Sequence, residues 1–366
     1  MLMKHIFSFL ILIFAGLLLS GCSLSPTGSK TNPVASTGAT GSILKSIDSG
    51  ESFASKVQID DQTVLPASDI LTISFDPNNP AILYAGTEKD GIFRSWDGAE
   101  HWERIVFPPE RVFGITVDTR NSERLLATGV WKKTGKIYES TDSGKNWKEV
   151  YTEPGEGTTV SSLVQSRLVP NIVYAGTSGG VILKSEDSGE TWQNFGFAKG
   201  PVTDIYPHAR NRDTFIAAIF NISVIRTIDG GKKYIESQAS DFPPDPRVTN
   251  QNNSSGGVLT ISLDPSRPEV VYTGMQGGMY RSDDYGKTWK NIDIIESSRK
   301  FPIRAIAINP KNSDEVSYSA GDTFYRSLDA GKSWETTRLQ SDKAASVIAY
   351  DWNNPNVIYV GLRSFK

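Results

Sequence analysis

One eight-residue pattern recurs seven times along this chain, and no other feature restricts its fold as strongly. The pattern is Ser-x-Asp-x-Gly-x-x-aromatic, present as SWDGAEHW (95–102), STDSGKNW (140–147), SEDSGETW (185–192), SDDYGKTW (282–289) and SLDAGKSW (327–334). SIDSGESF (46–53) and TIDGGKKY (227–234) are looser copies. The aspartates Asp48, Asp97, Asp142, Asp187, Asp229, Asp284 and Asp329 are mostly about 45 residues apart, the length of a four-stranded sheet in a radial repeat.

Every motif but the first follows the same sequence of short apolar runs. The first is ILTISFD (70–76), VLTISLD (258–264) or IRAIAIN (303–309), and the second is ILYAGT (82–87) or IVYAGT (172–177). A third, such as VILKS, runs into the motif, whose aromatic is expected to start a fourth. Alternation, β-branched residues and bounding glycine or proline make these strands, here A to D. Within the motif, aspartate accepts hydrogen bonds from turn N–H groups, glycine takes a positive φ and the aromatic packs between sheets. An identical aspartate in every copy is the mark of a turn lock, so the seven are read as structural rather than catalytic or calcium-binding.

The copies are out of phase at the chain ends. Residues 43–53 supply strands C and D with no A or B before them, while SVIAYDWNNPNVIYVGL (346–362) supplies A and B with nothing after. The expected fold is therefore all-β: a seven-bladed β-propeller of four-stranded blades, closed by pairing the N-terminal strands with the C-terminal A and B strands. Such closure removes the exposed sheet edges of an open array.

Ahead of the repeats, Lys4 precedes the apolar run Ile6–Leu19, too short for the ~20 residues of a spanning helix and suited to a signal peptide. LSGC (19–22) follows and resembles the bacterial lipobox, which implies cleavage before Cys22 and lipid on its thiol. Residues 1–21 are then a lipoprotein signal peptide, 22–40 a lipidated tether rich in Ser, Thr, Gly and Pro, and 41–366 the propeller. The expected location is the extracytoplasmic face of a bacterial membrane. In a two-membrane host it is the outer one, since Ser23 supplies no acidic retention signal.

Composition narrows the chemistry. A formal charge of −3 and a pI near 5.8 give no basic domain for nucleic acid. One cysteine and three scattered histidines build no metal site, and no cofactor is expected.

Over residues 41–366 the motif and its spacing resemble the bacterial-neuraminidase-type, or Asp-box, repeat propellers. That group includes sialidases, xyloglucanases, the sortilin receptor domain and the photosystem II stability and assembly factors. The last are similar in having one seven-bladed propeller and lipoprotein members, which implies a scaffold. The sialidase Arg-Ile-Pro triplet is missing, and the xyloglucanases, similar in DPNNPAILYAGT (76–87), place their acid and base in a cleft between two propellers. The expected function is a membrane-anchored, non-enzymatic binding or assembly scaffold for a protein partner; the alternative is a surface glycan-binding or glycosidase-like propeller.

With A innermost, the A–B and C–D turns share one face with the motifs, and the B–C and D–A connections form the other. In the enzymes this chain resembles the active site lies on the second face, so the resemblance implies ligands there, at TEKDG (87–91), VWKKTGK (130–136), the insertion 239–257 and ESSRKFPIR (296–304). The candidate partner-binding residues are Trp131, Lys132, Lys133, Arg299, Lys300 and Arg304, because tryptophan and arginine are frequent interface anchors and lysines steer encounter. Lys136, Lys343 and Arg363 share this face.

Overall fold

Seven antiparallel four-stranded sheets form the molecule in the computed structural model, which describes residues 41–243, 257–276, 278–296 and 301–365. The A strands Ile70–Phe75, Ile115–Asp118, Val160–Gln165, Val202–Pro207, Val258–Leu263, Ala305–Asn309 and Ala344–Tyr350 lie innermost and contact one another around the ring. Blades are numbered one to seven in that order. Blade six starts two residues later than its apolar run, at Ala305.

Blade seven joins the ends of the fold. Ala344–Tyr350 and Ile358–Arg363 are completed by Ile43–Ser46 and Ala54–Ser55, with Ile43 opposite Gly361 and Ser46 opposite Ile358. A clasp ties this blade to blade one. Lys45 Nζ donates to Gly98 O and Glu100 Oε1, both at 2.7 Å, Lys56 reaches the same Glu100 carboxylate, and Tyr359 donates to Gly98 O at 3.1 Å.

The seven motifs act as joints between neighbouring blades. Ser185 Oγ donates to Asp187 Oδ1 at 2.7 Å and accepts the Gly189 N–H at 2.7 Å, while Asp187 takes the N–H of Thr191 at 2.9 Å. The same Ser or Thr hydroxyl bridge recurs at Ser46, Ser95, Ser140, Thr227, Ser282 and Ser327. Donation from Asn146 and Ser140 holds the Asp142 carboxyl down at about 2. The fourth strand begins one residue after the aromatic, not at it: Gln193 follows Trp192 and Lys290 follows Trp289.

Backbone strain in the motif is greater than one glycine relieves. The residue before the glycine also has positive φ, as at Ser49 (62°), Ser188 (65°) and Tyr285 (58°). In SWDGAEHW the glycine position is held by Ala99, at φ 69° and fully buried. Elsewhere glycine is required by contact too, since a Cβ on Gly50 would lie 2.5 Å from Phe324 of blade six and one on Gly189 2.4 Å from Leu126 of blade two.

The core consists of apolar clusters between adjacent blades. One packs Tyr272, Met279 and Ile292 of blade five against Ile303, Ile306 and Tyr318 of blade six. The motif aromatics close these seams: Trp334 Nε1 donates to Asp293 O at 2.8 Å, and Trp289 Nε1 to Ser237 Oγ at 3.2 Å. Such burial, at about 25 cal/mol per Å² of apolar surface, is the main force holding blade to blade.

Candidate functional site

The A strands enclose a central cavity of about 510 Å³ whose wall is layered by the repeat. Register fixes the layers. Val202, Ile303 and Ile70 fill the space left by glycines Gly176, Gly274 and Gly361 of the preceding blades, and Val112 does the same at Gly86. The residue after each stands at the mouth, on the face of the B–C and D–A connections. In blades one, three, four, five and seven the A–B ladder slips here, a bulge that turns this residue out of the pairing.

The mouth layer contains Arg304 of blade six, where the other blades have Leu71, Phe113, Ser161, Thr203, Leu259 and Ser346. The next layer contains Asp204 of blade four, against Thr72, Gly114, Ser162, Thr260, Ala305 and Val347. A third is apolar throughout, with Ile73, Ile205, Ile261, Ile306 and Ile348 among its members. Each polar layer thus carries one charged side chain.

Arg304 is half-buried, and its guanidinium lies 4.5 Å from the Phe365 ring centroid, with Arg363 5.4 Å from the same ring. Burial first, and the Arg363 charge second, pull Arg304 below its ordinary pKa. Arg363 is 3.6 Å from Glu88, which also pairs with Arg111. Arg304 forms no ion pair or hydrogen bond among the described residues. Phe220 and Ile222, in the B–C turn of blade four, are 40% and 44% exposed, and Phe220 lines the cavity with Phe365. The mouth is thus a cationic and aromatic rim, the composition of many recognition surfaces.

Asp204 has the opposite character. Its oxygens meet Thr203 Oγ1 at 3.4 Å and the backbone of Ile261, and burial pushes its carboxyl up to about 7. No described side chain supplies a counter-charge. Among the described residues lining the cavity it is the one carboxylate.

The other sequence candidates are dispersed. Trp131 pairs with Thr134 across a two-residue turn at Lys132 and Lys133, whose φ of 49° and 68° suit a tight hairpin turn and leave Trp131 42% exposed. This hairpin belongs to blade two, whereas Arg304 enters blade six, and neither Trp131 nor its lysines line the cavity. Lys136 pairs with Glu149 at 2.6 Å and Lys343 with Asp69 at 2.9 Å. Arg299, Lys300 and Cys22 lie outside the described residues. Of the insertion 239–257, Ala239–Asp241 form a 3-10 turn and Phe242 is buried beside Tyr280 and Trp289; positions 244–256 lie outside the described residues.

Asp204, Phe220, Ile222 and Phe365 escaped the sequence reading. Aligning the repeats column by column would have exposed Asp204, whose column otherwise holds small or neutral residues.

The sequence matches the family model Sortilin-Vps10 (sortilin, neurotensin receptor 3) over residues 135–239 and 277–364, more than half of the chain. An oligoxyloglucan-reducing end-specific xyloglucanase of Emericella nidulans is 27% identical over 239 residues, 62% of this chain and 27% of that protein. The photosystem II assembly lipoprotein Ycf48 of Synechococcus is 29% identical over 116 residues, 30% of this chain and 32% of that one. The chain spans about a quarter to a third of the length of the xyloglucanases it matches in Emericella nidulans and Acetivibrio thermocellus. Among solved structures, YCF48 bound to a D1 peptide superposes with a TM-score of 0.59 at 14% identity, covering 84% of this chain and 100% of that one. The GH74 xyloglucanase of Xanthomonas campestris gives 0.65 at 14%, covering 80% and 51%. These structural likenesses establish the fold alone.

Proposed function

The chain belongs to the Sortilin-Vps10 family, and from that premise we propose that it is a membrane-anchored, extracytoplasmic propeller that binds a protein partner and serves as an assembly scaffold. The observation that carries this reading is the channel mouth, where Arg304 is left without an anionic partner among the described residues and is flanked by Arg363, Phe365 and Phe220. A half-buried guanidinium held against an aromatic ring is prepared for a carboxylate, and its planar fork is largely ordered in advance. Support also comes from a protein of the same fold, YCF48, solved with a D1 peptide bound.

Trp131, Lys132 and Lys133 form a second contact area on the same face, and Arg299 and Lys300 extend the basic character of the stretch leading to Arg304. Lipid on Cys22 and a tether to residue 40 hold the propeller at a bacterial membrane surface, the outer membrane in a two-membrane host.

The glycosidase reading needs two carboxylates about 5 to 10 Å apart. The described cavity wall offers Asp204 alone. The test is crosslinked capture from membranes with wild-type protein, Arg304→Gln and a Lys145→Ala/Lys332→Ala control on the motif face. A membrane protein retained by wild type and control but lost with Arg304→Gln supports the reading. Equal retention by all three, or release of sugar from a surface glycan by the purified protein, overturns it.

A further inference from the structure

The channel holds two groups of opposite charge that its own wall leaves unmatched. Arg304 stands in the mouth layer and Asp204 in the layer below, and neither forms an ion pair among the described residues. A carboxylate in a cavity wall met only by Thr203 Oγ1 at 3.4 Å and the Ile261 backbone, with no cation beside it, is costly, and burial raises its titration. Folding does not require it: six other blades build the same layer from Thr72, Gly114, Ser162, Thr260, Ala305 and Val347. In a repeat protein, a residue needed by the blade recurs with the blade. A costly exception in one blade points to a ligand.

We propose that the channel takes a bipolar segment of the partner, with an anionic group bound by Arg304 and Arg363 at the mouth and an ammonium or guanidinium carried inward to Asp204. The proposal rests on the mouth being the partner site and adds an inner subsite for a cation. Leu71, Phe113 and Leu259 of the mouth layer stand above Asp204, so the methylene stem of a lysine or arginine passes apolar surface before its charged tip meets the carboxylate. The volume of about 510 Å³ falls within the ~300–1,000 Å³ of small-ligand sites. Charges at different depths also impose direction: a segment entering with its anion first meets Asp204 and is repelled.

The test uses full-length protein in detergent at pH 8, where Asp204 is ionised, and three probes: 6-aminohexanoate, hexanoate and hexylamine. Calorimetric titration of wild type should give about tenfold tighter binding of 6-aminohexanoate than of hexanoate, the scale of a charged hydrogen bond in a cavity. Asp204→Asn, nearly isosteric, should bring 6-aminohexanoate down to the hexanoate level, leave hexanoate unchanged and abolish hexylamine binding. Arg304→Gln should weaken both carboxylates and spare hexylamine. If Asp204→Asn binds all three probes as wild type does, or if wild type does not prefer 6-aminohexanoate, the inner subsite is refuted. Hexanoate binding that ignores Arg304→Gln instead overturns the mouth as an anion site, and the hexylamine arm still decides on Asp204.

Discussion

The guanidinium of Arg304 lies over the ring of Phe365, 4.5 Å from its centroid, so a residue entering blade six is held by one leaving blade seven. Removing the ring leaves the charge but not its orientation. Phe365→Ala should therefore weaken partner capture, and Arg304→Ala should weaken it by about tenfold or more, some 1.4 kcal/mol. Trp131→Ala, on blade two, should add to either effect independently, because residues without shared contacts combine additively. The measurement is titration of the captured partner. Arg120 and Arg267 are poor controls for it: Arg120 donates to buried Asp118 and to Ser188, and Arg267 to buried Asp264, so their loss would disturb the opposite face.

Stability should depend strongly on the closing blade. Deleting residues 346–366 removes Ile348, Ile358, Val360 and Leu362, all buried, and uncovers Ile43–Ser46 and Ile70. Deleting 23–40 removes none of the described contacts. Thermal unfolding should show a large fall in midpoint for the first and almost none for the second; equal midpoints would falsify the pairing of the two ends.

The motif residues should separate by burial. Trp289, 5% exposed and stacked on Phe242 at 5.1 Å, should cost about 3–5 kcal/mol as Trp289→Ala. Trp192 is only half-buried, so Trp192→Ala should cost less than this. Asp187→Ala should cost about 1 kcal/mol, the value of a lost turn hydrogen bond. Ala99→Gly should be nearly neutral, within about 1 kcal/mol, since relief at φ 69° offsets the added freedom of the unfolded chain. Gly50→Ala should be clearly destabilising, with Phe324 in the way. Chemical denaturation measures all five.

Asp204 should make stability fall as pH rises. Its folded-state titration, displaced to about 7, lies above the ~3.9 of an unfolded aspartate, so between these values the folded state binds more protons. Stability from this group is full below about pH 4 and is lost as pH climbs through 7. Asp204→Asn should accordingly raise the thermal midpoint more at pH 8 than at pH 4. A gain that is the same at both, or larger at pH 4, would show that the carboxyl is not displaced upward.

Cys22→Ala should leave the propeller's circular dichroism and melting unchanged while shifting the protein from the membrane fraction to the soluble one, or leaving it uncleaved. Mass spectrometry that still finds acyl chains on this variant would end the lipoprotein proposal.

Much of this fold is legible in the amino-acid sequence because a repeat states the same physical problem seven times. Asp187 alone is ambiguous; Asp187 with six equivalents at a steady interval specifies a turn and, through it, a blade. The short strands Ile70–Phe75 and Val258–Leu263 stand out by alternation. The site was less legible for the same reason. Function resides where the columns differ, and Asp204 looks ordinary until it is aligned with Thr72 and Thr260. Phe365 stands beyond the last strand, so no period predicts that it folds over Arg304. Trp131 and Arg304 share a face but not a neighbourhood, since side-chain type carries no information about angular position around a ring.

The register of Ile43 opposite Gly361, with Leu362 N donating to Ser42 O at 2.8 Å, is that of an ordinary hairpin whose loop has been cut. Residues 43–363 arranged this way trace a ring of polypeptide that is open at one B–C turn. A few linking residues could seal it, and a new break could be made at another B–C turn, such as 178–180 between Val173–Thr177 and Val181–Ser185, without altering a strand. Circular permutation of this kind would move the chain ends around the rim while leaving Arg304 and Asp204 in place, separating where the ring is opened from where its two unmatched charges stand.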